Sequence, residues 1–327
     1  MNKGLVADIG GTNVRFALID TALQRPSFET ARKYSTKDHA NIGAAARAYL
    51  LEQNFEDRLS GLVFGVAGPV KAGEINLTNA GWTISEKDLY RNLDVAFAQV
   101  VNDFETLAEA VPVFEPEDLQ QIGPLPFDGR RGGTVAIIGP GTGLGIGGLV
   151  HGADAMLPLV TEGGHAAFAP SDDLEAEILK ILRQTYGDHV SNERILSGPG
   201  LLNLYRAMAQ IEGKSVPDSD PTAITRAARQ DKYSFEAAVF ERFCAILGAV
   251  AGDVALIMGA RNGVLIAGGI MPDAIDFLAE SDFRRRFEDK GRFAGYMEAI
   301  STAVIVDEHA GLRGAATILR NELTARE

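Results

Sequence analysis

The stretch DIGGTNVRFALID, residues 8–20, sets two glycines between an acid and a Thr-Asn-x-Arg run, with apolar residues on both sides. Residues 4–20 alternate as two buried strands do, so Gly10-Gly11 reads as the tip of a hairpin. A tight turn needs one or two glycines. It does not also need Asp8, Thr12 and Arg15. The pattern returns in GRRGGTVAIIGPGTGLGIGGLVHGAD, residues 129–154, again an apolar strand, a Gly-rich tip and an apolar strand. Gly11-Thr12 aligns with Gly141-Thr142, 130 residues on, with Val14 against Leu144 and Phe16 against Ile146. Two related domains, each carrying a Gly-rich hairpin, are the expectation.

Glycine lets backbone N–H groups approach an anion because no Cβ intervenes. Either loop alone reads equally well as a plain hairpin turn; the two in register read as a grip on a polyphosphate from both sides. Thr12 and Thr142 add hydroxyls. Asp8 can hold a hydrated Mg²⁺, and Arg15 can offset phosphate charge or brace the hairpin through Asp8. Two other phosphate patterns fail. Gly143-x-Gly145-x-x-Gly148 runs into strand-like residues and not a helix, and Gly213-Lys214-Ser215 has Met208 where a P-loop needs its first glycine.

The chain has 327 residues, enough for two domains, and is 46% hydrophobic and 23% charged, as soluble globular chains are. Its net charge of −13 argues against nucleic-acid or anionic-membrane partners. FRRRF (residues 283–287), the only dense basic run, reads as a solvated helix face. The single cysteine, Cys244, excludes an internal disulfide framework and a multi-Cys zinc site, and reads as a buried, inert thiol. Asp8 comes too early for a signal-peptide core, and the longest uncharged stretch, residues 132–153, holds nine glycines and a proline. A cytoplasmic protein follows.

Strands alternate with helices through the first third, which argues an α/β sheet. GLVFGVAGPV (61–70) is a buried strand. SEKDLYRNL has a capping-box-like start at Ser85 and Asp88, and VAFAQVVND (95–103) is a strand followed by a helix. SDDLEAEILKILRQTYG is a helix capped by Ser171 or Asp172 and ending at Gly187. SFEAAVFERFCAILGAVAGDVALIMGA is a long helix, broken near Gly252. Pro112 and Pro116 interrupt the pattern and place a boundary near residues 111–114.

Asn102-Asp103 lies at the carboxyl end of a strand, where open α/β sheets place ligands. The Asp can take a hydroxyl proton and the Asn can bind a second hydroxyl; on local grounds the pair also reads as a helix N-cap. TEGGHAAFAP presents Glu162 and His165 around a tight turn, and SNERILSGPG places Glu193 near a helix start, where it can equally complement the helix dipole. Carboxylates, an Asn and a His without a metal framework suit a polyhydroxylated ligand such as a sugar.

These residues resemble the bacterial-type ATP-dependent glucokinases, within the actin/hexokinase/Hsp70 ATPase superfamily. The resemblance covers nearly the whole chain and rests on DIGGTN (8–13), LTNAGWTIS (77–85), NDF (102–104), GPGTGLG (139–145), EGGHAAFAP (162–170), SNERILSGPG (191–200), IAGGI (266–270) and FEDKGRF (287–293). It implies an α/β chain of the two-domain actin-like ATPase (ribonuclease H-like) fold. A small α/β domain (1–112 plus about 304–327) and a larger α+β domain (113–303) would flank a cleft. It implies γ-phosphoryl transfer from MgATP to the 6-hydroxyl of glucose, with Asp103 as general base and Asn102, Asp103, Glu162, His165 and Glu193 binding glucose. The nucleotide would meet Ala7, Asp8, Ile9, Gly10, Gly11 and Thr12, then Gly139, Gly141, Thr142 and Gly143, with Gly268 and Gly269 near the adenosine. Asp8 would hold Mg²⁺ through water, and the protein would be a homodimer with glucose and ATP as partners. Ala167, where relatives often carry an acid, and the varied LTNAGWTIS loop are departures that bear on sugar affinity or selectivity. The rival readings are a kinase for another hexose or an amino sugar, a sugar-binding regulator without turnover, and a chaperone-like ATPase. The regulator reading needs a DNA-binding segment, for which the start at Asp8 leaves no room.

Overall fold

The computed structural model describes residues 3–77, 80–129, 132–152, 156–215, 217 and 220–326. Thr78 and Asn79 of the LTNAGWTIS motif lie outside the described residues. The strands are β1 (Lys3–Ile9), β2 (Asn13–Asp20), β3 (Arg32–Ser35), β4 (Gly61–Val66), β5 (Glu74–Leu77), β6 (Trp82–Ser85), β7 (Ala98–Asn102), β8 (Leu119–Ile122), β9 (Val135–Pro140), β10 (Leu144–His151), β11 (Met156–Thr161), β12 (Gly263–Ile266) and β13 (Thr302–Ile305). The helices are α1 (Ile42–Glu52), α2 (Glu86–Asn92), α3 (Asp103–Ala110), α4 (Asp173–Tyr186), α5 (Gly198–Ile211), α6 (Pro221–Gln230), α7 (Phe235–Met258), α8 (Ile275–Glu280), α9 (Phe283–Glu288), α10 (Ala294–Glu298) and α11 (Ala310–Thr324). Two compact units form: residues 1–115, 158–160 and 307–327, and residues 116–157 with 161–306.

In the first unit a five-stranded sheet has the order β3-β2-β1-β4-β7, with β1 antiparallel to β2 and parallel to β4, and β4 parallel to β7. Its alternation sorts side chains to two faces. Leu5, Ala7, Ile9, Val14 and Phe16 pack with Ala45, Ala46 and Tyr49 of α1; Val6, Ala17, Ile19 and Val63 pack with Leu312, Ala315 and Leu319 of α11. Helices on both faces explain why β4, GLVFGV, is buried at every position. α11 also meets α3 backbone to backbone: a Cβ on Gly314 would stand 1.6 Å from the Thr106 carbonyl oxygen. α3 is therefore fixed from behind.

The second unit repeats the plan. Its six-stranded sheet runs β11-β10-β9-β12-β13-β8, with β9 antiparallel to β10 and parallel to β12, and β12 parallel to β13. β10 also shows that Gly143-x-Gly145-x-x-Gly148 leads into a strand.

Three local expectations change. α7 is unbroken from Phe235 to Met258 and ends at Gly259 in the left-handed region. Gly252 does not interrupt it. With Gly248 one turn earlier it opens a groove for α9, since Cβ atoms there would stand 2.6 Å from the Phe287 carbonyl oxygen and 2.1 Å from that of Phe283. Ser85 sits at the N-cap of α2 but makes no side-chain cap bond; Glu86 instead accepts from the Val100 N–H at 2.8 Å. FRRRF is not a solvated face either. Arg286 is buried and donates to the buried Glu175 at 2.7 Å, and Arg284 donates to the Ile300 carbonyl at 2.8 Å, leaving Arg285 to the solvent. The reason is Glu175, a carboxylate at 1% exposure that needs cationic partners once desolvated. Cys244 is buried as expected, and burial pushes its thiol pKa up. No helix of the described residues is long and apolar enough to cross a membrane.

Candidate active site

The second strands of the two hairpins share one burial pattern, but the tips differ by one residue: Ile9 pairs with Val14 around residues 10–13, whereas Pro140 pairs with Leu144 around residues 141–143. Residues 11–20 and 141–150 run through an identical succession of half-buried, exposed and buried positions, with Thr12 and Thr142 exposed at the tips. In each, one N–H closes the tip: Gly10 N–H donates to the Asn13 carbonyl at 2.9 Å, and Gly141 N–H to the Gly143 carbonyl at 2.8 Å.

In the first unit the tip is held from outside by Thr36, whose N–H donates to the Thr12 carbonyl at 3.0 Å. No local sequence signal points to Thr36. Ala7 and Ile9 are fully buried core residues. Asp8, between them, faces the opposite way. A Cβ on Gly311 would stand 3.2 Å from Asp8 Cγ, so the first turn of α11 crosses the carboxyl. Burial pushes the Asp8 pKa above its ordinary 3.8, against the pull of the Arg15 charge. Arg15, on β2, does not brace the hairpin through Asp8, its register partner on β1. Its guanidinium donates to the Glu308 carbonyl and pairs with the Glu308 carboxylate at 3.9 Å.

Asn102 ends β7 and caps α3. Its Oδ1 accepts from the Phe104 N–H at 2.9 Å, and its Nδ2 donates to the Gly68 carbonyl at 3.0 Å. The N-cap reading of this residue is therefore realised. Asp103, the first residue of α3, accepts from the same Phe104 N–H at 3.1 Å. Two acceptors share one donor, and the shorter bond belongs to Asn102.

In the second unit three further segments gather against the other tip. Gly163–His165 forms a single 3-10 turn seated on β10: a Cβ on Gly164 would lie 1.9 Å from the Leu144 carbonyl oxygen, and one on Gly163 3.2 Å from Ile146. Gly164 is demanded by this approach, and a side chain at 163 would crowd Ile146. The turn leaves Glu162 and His165 exposed, with Oε2 and Nε2 3.9 Å apart. Residues 166–168 run beside 190–192, joined by the Asn192 N–H to Ala166 carbonyl bond at 2.9 Å and the Phe168 N–H to Val190 carbonyl bond at 2.8 Å. That pairing brings Glu193 to the tip, where its Oε2 accepts from the Leu144 N–H at 2.9 Å. Gly268, at φ +87°, lies against the end of β9, since a Cβ would meet the Pro140 carbonyl oxygen at 2.2 Å.

Four glycines of the proposed nucleotide loops thus fall into two kinds. Gly143 and Gly268 have protein atoms where a Cβ would go. Gly141 and Gly269 have nothing within 4 Å, and neither takes a positive φ. Among the described residues neither backbone strain nor packing explains a glycine at either position.

The half-buried Asp8 carboxylate fits an outer-sphere divalent cation. Mg²⁺ keeps several waters and is commonly bound by one or two carboxylates plus substrate phosphates. Among the described residues no group of three or more His, Cys, Asp or Glu could form an all-protein metal cage.

The glucokinase family model matches residues 5–322. The glucokinase of Caulobacter vibrioides (strain NA1000 / CB15N) is 46% identical over 320 residues, which are 98% of this chain and 96% of that relative. Among solved structures, a glucokinase from an Antarctic psychrotroph superposes with a TM-score of 0.87 at 36% identity, over 98% of this chain and 99% of that one. A ROK family glucokinase from Streptomyces griseus, in complex with glucose and AMPPNP, shares the fold with a TM-score of 0.65 at 21% identity, over 98% and 100% of the two chains. The architecture is that of the two-domain actin-like ATPases, as the repeated hairpin and sheet order lead one to expect.

Proposed function

This chain belongs to the glucokinase family, and we propose that it transfers the γ-phosphoryl group of MgATP to the 6-hydroxyl of glucose, giving glucose 6-phosphate and ADP. The observation that carries the nucleotide half is the pair of Gly-rich hairpins with matching burial along residues 11–20 and 141–150, and with no described atom within 4 Å of a Cβ on Gly141. In this reading Ala7 to Thr12, Gly139 to Gly143 and Gly268-Gly269 hold the nucleotide through backbone groups. Thr12 and Thr142 add their hydroxyls. Asn102, Glu162, His165 and Glu193 bind sugar hydroxyls.

Phosphoryl transfer passes through a loose transition state, so positioning and charge stabilisation supply most of the rate. Asp103 orients the 6-hydroxyl and accepts its proton as the oxygen attacks phosphorus. Its place at the head of α3, fixed by Asn102 on one side and Gly314 behind, suits that demand for position. Asp8 would hold Mg²⁺ through water; the cation, when bound, supplies positive charge to the phosphate oxygens. The same reading makes the protein cytoplasmic and homodimeric, with residues 1–112 plus about 304–327 as a small domain and 113–303 as a large one.

The test is ADP release from MgATP with and without glucose, followed by a panel of mannose, fructose and glucosamine. Glucose-dependent ADP release at a kcat/KM well above that of the other sugars is the expected result. Faster turnover of another sugar would move the acceptor and leave the kinase; ADP release indifferent to sugar would refute the assignment.

A further inference from the structure

Glu193 belongs to the sugar-binding set, yet its carboxylate touches the nucleotide hairpin. Oε2 accepts from the N–H of Leu144, the residue directly after the tip, at 2.9 Å. A Cβ on Gly143 would stand 2.5 Å from that same oxygen, although Gly143 takes no positive φ. A side chain at 143 would therefore have to displace the carboxylate of residue 193. The segment carrying Glu193 grips the tip a second time, through the Gly198 N–H to Gly141 carbonyl bond at 2.8 Å. Between the two grips the buried Ser197 donates to the Glu193 carbonyl at 2.8 Å and accepts from the Gly200 N–H at 3.0 Å. Residues 193–198 thus form one bracket at the head of α5, fastened to the tip at both ends.

We infer that Glu193 is a positioning residue that couples the two ligands: Oε2 sets the hairpin tip, Oε1 is turned to a sugar hydroxyl, and each ligand orders the carboxylate for the other. The inference rests on glucose and ATP being the ligands, as proposed above. A plain sugar-binding residue would alter glucose affinity alone, and a plain brace would alter the hairpin alone. A coupling residue alters how one affinity depends on the other, and by linkage the effect is the same from both sides.

The experiment is calorimetric titration of the full chain with glucose, in the absence and presence of saturating AMPPNP with Mg²⁺. For the wild type, nucleotide should tighten glucose binding by about fivefold or more, the lower end of ordinary coupling. Gly143→Ala leaves Glu193 in the chain but pushes its carboxylate off Leu144. It should raise the glucose Kd without nucleotide, although the change lies in the hairpin, and bring the coupling factor to within about twofold of unity. Glu193→Asp, one methylene short of Leu144, should abolish the coupling in the same way without introducing a clash, and serves if the alanine variant does not fold. A wild type that binds both ligands without coupling, or a Gly143→Ala or Glu193→Asp variant that keeps the full factor, overturns the inference. A wild type that binds no glucose overturns it together with the functional reading beneath it.

Discussion

Replacing Asp103 by Asn tests the chemistry most directly, because the structure separates what the residue does for the helix from what it would do for the reaction. The Phe104 N–H is already capped by Asn102 at 2.9 Å, and the Asp103 bond to it, at 3.1 Å, is the longer of the two. An Asn at 103 keeps shape and an acceptor oxygen. At the head of α3 the fold loses a negative charge in the first turn, worth about 0.3–1 kcal/mol. For a chain of this size that is a fall in Tm of at most about 4 °C. What the reaction loses is the proton acceptor. General-base catalysis contributes about 10²–10⁴-fold, or roughly 2.7–5.4 kcal/mol at 1.36 kcal/mol per decade. The expected result is therefore a drop in kcat of two to four decades (about 10²–10⁴-fold), a nearly unchanged melting curve, and glucose affinity within a few-fold of wild type. Glu162→Gln should do the reverse and raise the glucose KM more than it lowers kcat. The assay is steady-state ADP release beside differential scanning fluorimetry and calorimetry. Near-normal kcat in Asp103→Asn would refute the reasoning, reduce Asp103 to a residue of the helix start, and send the search for the base to Glu162 and Glu193.

Gly141→Ala should leave Tm close to that of wild type, since no described atom lies within 4 Å of the new Cβ, yet weaken nucleotide use; Gly268→Ala, facing the Pro140 carbonyl at 2.2 Å with φ +87°, should instead lower Tm, and the two scanned side by side check the division of the glycines. Asp8→Asn should raise the Tm of the ligand-free protein near neutral pH, because the ionised carboxyl is disfavoured there by burial, while lowering kcat and the stabilisation by MgATP in a thermal-shift assay. Asp172 is pushed up by burial but pulled further down by the Glu175 N–H and by Arg242 and Arg286, so its pKa lies below 3.8 in the folded protein. Its stabilising effect is complete above that value and is lost as pH falls through the folded pKa; Asp172→Asn, which keeps the cap, should be less stable than wild type at pH 7 in urea melts, with the gap closing in acid.

The hairpins, their Gly-rich tips and their repetition are legible in the chain because period-two alternation and turn chemistry are local properties. So are the caps at Asp172 and Gly187, which α4 uses as written. The candidate residues at 102–103, 162–165 and 193 could be named for the same reason: each stands beside a turn or strand end that the pattern announces. What each does there was not legible. Whether glycine 141 or 143 is open, whether Arg15 meets Asp8 or Glu308, whether Ser85 caps, and whether Gly252 breaks α7 or seats α9 all turn on atoms supplied by distant parts of the chain. Leu144 and Glu193 lie 49 positions apart, and Arg15 and Glu308 lie 293 apart. A hydrogen bond or a close approach across such a distance leaves no periodicity and no neighbouring signal in the sequence, because only packing brings its two partners together.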